Sequence, residues 1–139
     1  MNRALQHLFL TLALLTGAAQ ALAAESAPDR YVEYVELNPP FIANYGGPGP
    51  LKYVKAEVSI KVVSRDGEVN TKHHQAQIRN AIVMLLSSQT DDTVSTAAGR
   101  ERIRIQALEA VRQIMVQEYG ETGYDMIGDL LFTSFVIQN

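Results

Sequence analysis

Few residues in this chain have the types and spacing that chemistry requires. His73 and His74 are adjacent, Asp91 and Asp92 are adjacent, and Glu101 and Glu109 lie in one charged stretch. Two imidazoles are half of a common zinc site, which takes about four ligands from Cys, His, Asp or Glu. Neighbouring positions on a helix point about 100° apart. Beyond residue 23 there is no third histidine and no cysteine. The pair therefore reads as a solvated helix start, with a metal site as the minor reading. Asp91-Asp92 suits a cation, but acidic residues ahead of a helix also complement its positive end. Glu101 and Glu109 fall on similar faces of a helix with Arg104 and Arg112 near them, as surface residues do. Gly46-Gly47-Pro48-Gly49 lacks the Lys-Ser/Thr that completes a phosphate loop, and reads as a hairpin connection. There is no Gly-x-Ser-x-Gly and no Cys/His pair. The expectation is no catalytic residue, no metal site and no cofactor.

The first residues bear on location. Met1-Asn2-Arg3 is short and positive, and Leu8 to Leu15 is apolar apart from Thr11. Gly17 and Gln20 break the run, and Ala21-Leu22-Ala23 fits a small-x-small cleavage pattern. Residues 1–23 read as a signal peptide cut between Ala23 and Ala24, with Ala19-Gln20-Ala21 as a second site. An uncleaved membrane anchor is the competing reading, since Leu5 to Ala24 is long enough to span a bilayer. Gln6, His7, Thr11 and Gln20 dilute that run. Without Arg3 the formal charge goes from −3 to −4, which argues against a nucleic-acid partner. A periplasmic protein with no cysteine depends on its core for stability rather than on disulfides.

Residues 24–30 are small and polar, with Pro28, and read as a disordered leader. One domain then follows over 31–139. Tyr31–Leu37 reads as a strand, ended by Asn38-Pro39-Pro40, whose prolines have no N–H to donate. Phe41–Tyr45 resumes extended structure. Val54, Ala56, Val58, Ile60 and Val62 alternate with polar residues, the mark of a strand with one buried face. The glycine-rich connection makes an antiparallel pair of the last two. Asp66-Gly67 and polar residues to Lys72 precede a helix whose inner stripe is Ile78, Ile82, Leu85 and Leu86. Val83 and Met84 suggest that this helix is covered on more than one side. Thr96 is a candidate N-cap for a longer helix, with Ile103, Ala107, Val111, Ile114 and Met115 inside and Gly120 as its stop. Arg100, Arg102 and Arg104 read as its solvated face. Glu121–Gly128 reads as a polar loop. Leu130–Ile137 is apolar on both faces, which predicts an interior strand. The fold class is α+β: a mostly antiparallel sheet with two helices on one face.

Several of these segments, in this order, resemble the flagellar basal-body-associated FliL family. They are Ile78-Arg79-Asn80-Ala81-Ile82 through Ser88, Gly99–Arg104, and Phe132-Thr133-Ser134-Phe135-Val136-Ile137-Gln138. Leu37-Asn38-Pro39, with Phe41-Ile42 and Asn44, is similar to the family's extended lead-in. The resemblance implies a stomatin-like (SPFH) fold and a non-enzymatic protein that supports stator function in swimming, swarming and chemotaxis. It implies a periplasmic homo-oligomeric ring beside stator and basal-body proteins, with inner-membrane association if the leader is retained. A soluble periplasmic binding or scaffold module of the same fold, outside the motor, is the alternative. Tyr31, Tyr34 and Tyr45 are the candidate partner-binding residues, because tyrosine suits interface centres. Packing on their own sheet is the competing reading.

Overall fold

The computed structural model describes residues 30–139, so the expected signal peptide, its expected cleavage between Ala23 and Ala24, and all of the expected leader but Arg30 lie outside the described residues. Strand β1 is Glu33–Glu36, β2 is Phe41–Asn44 and β3 is Tyr53–Val62. Helices α1 (Arg65–His73), α2 (Gln75–Ser87), α3 (Asp91–Ser95), α4 (Ala97–Tyr119) and α5 (Thr122–Met126) follow. Strand β4, Ile127–Gln138, completes the order. All pairing is antiparallel, and β3 is the centre: β1 and β2 lie end to end along one side of it and β4 along the other.

The alternation in β3 is realised as read. Val54, Ala56, Ile60 and Val62 have no exposed surface and Val58 almost none. They face α2 and α4, which present Ile78, Ile82, Leu86, Ile103, Ala107 and Val111. Burial of an aliphatic side chain of this size contributes about 1.5–3 kcal/mol, so this single layer contact between helices and sheet is the main support of the fold. The other face of the sheet carries Lys55 and Glu57 and is not covered by any described element.

The break between β1 and β2 keeps the buried side buried. Leu37 to Pro40 are four residues opposite two of β3, Glu57 and Val58. An even excess preserves the two-residue period, so Val35, Leu37, Phe41 and Ala43 all point inward. The β4 side behaves differently. Its register against β3 slips by one residue at Thr133 and again at Gly128. Each slip changes which face the next residues take. Ile127, Leu130, Phe132, Phe135 and Ile137 therefore all reach the core, fully or in part.

That spacing corrects the reading of β4 as interior. Among the described residues it pairs with β3 alone and is an edge strand. Its two-sided apolar look comes from the bulges, which shift the inward set, and from Leu131 and Val136, which are 36% and 44% exposed. In α2, Leu85 is only half-buried beside the fully buried Leu86, and Met84 is 64% exposed. The helix is thus covered on one side, not several.

Capping follows the sequence. The Thr96 hydroxyl accepts the Gly99 N–H at 3.0 Å, and Gly120 ends α4 at φ +72°. Three short helices replace segments not read as helical: α1 over the polar stretch to Lys72, α3 where Asp91-Asp92 read as lying ahead of the next helix, and α5 within Glu121–Gly128. Ser64 caps α1 by accepting from Gly67 N–H at 2.9 Å. A Cβ on Gly67 would sit 2.8 Å from the Met126 carbonyl, so α1 packs by lacking a side chain there.

Candidate docking surface

Most of the residues with catalytic or ligating potential are engaged by neighbouring side chains. His74 Nε2 lies 2.8 Å from the Tyr119 hydroxyl, with His73 edge-on to its ring. Asp91 pairs with Lys52, which keeps the Lys52 ammonium above its ordinary range. Glu109 accepts from Gln113 at 2.7 Å and from the Tyr124 hydroxyl at 3.3 Å. Among the described residues no three His, Asp or Glu side chains are grouped to hold a metal.

Three arginines do something that their sequence context did not announce. Each leaves a helix and donates to main-chain carbonyls that the ladder leaves free, at an irregularity of the sheet or on its outer edge. Arg79 of α2 donates to the Leu37 carbonyl at 3.0 Å, and its guanidinium lies 4.2 Å from the Phe41 ring centre. Both partners flank the proline insertion. Arg112 of α4 donates to the carbonyls of Ile127, at 3.1 and 3.2 Å, and of Gly128, at 3.2 Å, beside the lower bulge. Arg104 donates to the Leu130 carbonyl at 3.0 Å and pairs with Asp129 and Glu101. The Glu101 bonds, and then Asp129, hold the Arg104 guanidinium well above its usual range, and Arg104 in turn lowers Glu101. Arg104 is thus not part of a solvated face. A carbonyl without a ladder partner must be satisfied some other way, and charged donors bind it about twice as strongly as neutral ones.

The three tyrosines separate by environment. Tyr45 is 4% exposed, in the core, and burial raises its hydroxyl pKa. Tyr31 is half-buried. Its hydroxyl donates to Glu68, and that bond raises its pKa; Arg65 lies over its ring. Tyr34 is 53% exposed on the open face of the sheet. Of the three, it has the most surface to offer a partner.

Two apolar side chains of β4, Leu131 and Val136, share that open face with Tyr34 and with Ile42, which is 65% exposed. Where β4 meets the start of α4 there is a cleft of about 340 Å³. Phe132 and Phe135, in edge-to-face contact at 5.2 Å, form its floor, and Arg100, Glu101 and Arg104 its rim. Arg100 makes no side-chain hydrogen bond or ion pair with another described residue. Nothing in this arrangement positions a nucleophile beside a base. It is an accessible sheet surface with an aromatic anchor, an apolar edge and a cation that has no side-chain partner among the described residues.

The family model for the flagellar basal body-associated protein FliL matches residues 34–138, more than half of the chain and nearly all of its folded unit. The chain belongs to the FliL family. The Flagellar protein FliL of Aquifex aeolicus (strain VF5) is 28% identical over 116 residues, covering 84% of this chain and 68% of the relative. Membership makes this a flagellar basal-body-associated protein. Among the described residues no helix is long and apolar enough to cross a membrane.

Proposed function

We propose that this FliL-family chain is a non-enzymatic motor accessory that works in the periplasm, self-associates beside the stator units and supports motility when load is high. The observation that carries the reading is the span of the family match, which coincides with the folded unit and includes the open sheet face. A binding role suits a surface that offers Tyr34, Ile42, Leu131 and Val136 and no reactive constellation. Export follows from residues 1–23, with Ala24 as the first mature residue.

The test is a strain lacking the gene, assayed for swimming and swarming in viscous medium and for chemotaxis. The expected outcome is poor swarming, restored by the wild-type gene and restored less well by a folded Tyr34→Ala variant. Normal swarming in the null strain would sink the motor role. Export is checked separately. Osmotic shock should release a protein whose N-terminal sequence starts at Ala24, and recovery of Met1 in the membrane fraction would reject it.

A further inference from the structure

The two sides of the sheet are finished differently. Leu37 N–H donates to the Val58 carbonyl at 3.0 Å. In antiparallel pairing the peptide groups alternate in direction, so the even-numbered residues of β3 serve β1 and β2 and the odd-numbered ones serve β4. Through the register, Asp129, Leu131, Ser134, Val136 and Gln138 turn their peptide groups to β3. Leu130, Phe132, Phe135 and Ile137 turn theirs outward. Arg104 occupies the Leu130 carbonyl. The outward groups of Phe132, Phe135 and Ile137 have no partner among the described residues.

The opposite side is guarded at its middle. Pro39 and Pro40 interrupt it, Arg79 takes the Leu37 carbonyl and Gln75 the Asn38 carbonyl. Proline and charged residues are how proteins blunt sheet edges. The upper half of β4 has neither. It carries apolar Leu131 and Val136 on one face and the Arg100 cleft on the other. Across the sheet β2 also turns the peptide groups of Ile42 and Asn44 outward with no partner among the described residues, but only β1 sets a charged residue on the helix side. In β1, Tyr34 and Glu36 turn their peptide groups outward, Glu33 is exposed on the helix side and Tyr34 on the open side.

We infer that the β4 edge of one copy receives the β1 edge of a second copy, with Glu33 against Arg100 and Tyr34 over Leu131 and Val136. The charges are complementary and fall on the same side of the sheet, as do the apolar groups. Both β1 and β4 run antiparallel to β3, so copies in like orientation would pair these strands in parallel. Two different edges make the contact heterologous, and repetition closes a ring or extends a filament. The inference rests on the self-association in the proposed function and supplies its surface.

The experiment is sedimentation velocity on the full chain over a concentration series, with melting curves as a check on folding. Wild type should associate. Arg100→Glu and Glu33→Arg should each weaken association at least about tenfold, the size of a lost interfacial charge pair. An equimolar mixture of the two variants should recover it, as should the double variant, because each restores opposite charges across every contact. Leu131→Lys/Val136→Lys should abolish it. A monomeric wild type, an unaffected Arg100→Glu chain, or a mixture that fails to recover would each overturn the inference. Loss only with the lysine pair, with all charge variants unaffected, would mean that β4 meets another occupant, such as β4 of the second copy. None of these results touches the motility of the null strain, so the surface and the motor role fail separately.

Discussion

Leu85 and Leu86 are adjacent in sequence and differ in what surrounds them. Leu86 is fully buried under the sheet, whereas Leu85 is half-exposed at the margin of the core. Leu86→Ala should cost about 2–5 kcal/mol, as core leucines do, with Leu85→Ala clearly less and Arg102→Ala within about 0.5 kcal/mol. Chemical denaturation of the three variants checks the order, and equal costs for the two leucines would contradict the burial. Glu68 gives a pH-dependent case. Lys72, then the Tyr31 hydroxyl, hold its carboxyl below the ordinary value of 4.5. A lowered folded value contributes stability above the unfolded pKa and loses it as pH falls through the folded one. The loss therefore begins near pH 4.5 and continues below it. Glu68→Gln should flatten the acid side of a plot of melting temperature against pH. An acid side unchanged by that substitution would show that the Tyr31–Glu68–Lys72 cluster does not contribute.

At the level of elements, the clamps and close approaches decide more than propensity does. Arg112→Met should destabilise by about 1.5–3 kcal/mol, the size of a hydrogen bond from a charged donor, because three contacts to the Ile127 and Gly128 carbonyls are lost. Gly99→Ala should be at least as costly, since its Cβ would lie 2.1 Å from the Thr93 carbonyl. Melting curves of both against wild type provide the measurement. These positions also show what a sequence carries. The alternation from Val54 to Val62 and the stripe from Ile103 to Met115 are direct consequences of burial on one side, so they were legible. Helix α1 was not, because it buries Gly67 and Thr71 and has no apolar stripe. Strand β4 was misplaced because two slips of register spread its inward residues over both parities. The arginine clamps were hidden too: the carbonyls they serve become available where the ladder is irregular, at Leu37, Ile127 and Gly128, or on the outward side of the edge strand, at Leu130. The cleft at Arg100 depends on Phe132 and Phe135 reaching it past one of those slips, which no periodicity displays.

For the whole molecule, one core joins the helices to both halves of the sheet. Unfolding should therefore be a single transition, coincident by far-ultraviolet circular dichroism and by tyrosine fluorescence; separated midpoints would indicate a second cooperative unit. The assembly has a further property in time. Strand β3 lies centrally, yet its partner β4 is far along the chain, with Val62 opposite Ile127 and Tyr53 opposite Gln138. Every helix is made before that partner arrives. Contacts so distant in sequence slow folding, because a long loop must close before they form. A chain emerging from the ribosome would hold β3 with one side unmatched until Gln138 is delivered. Under the export proposed above such a delay is an advantage: the strand that locks the structure is the last to be made.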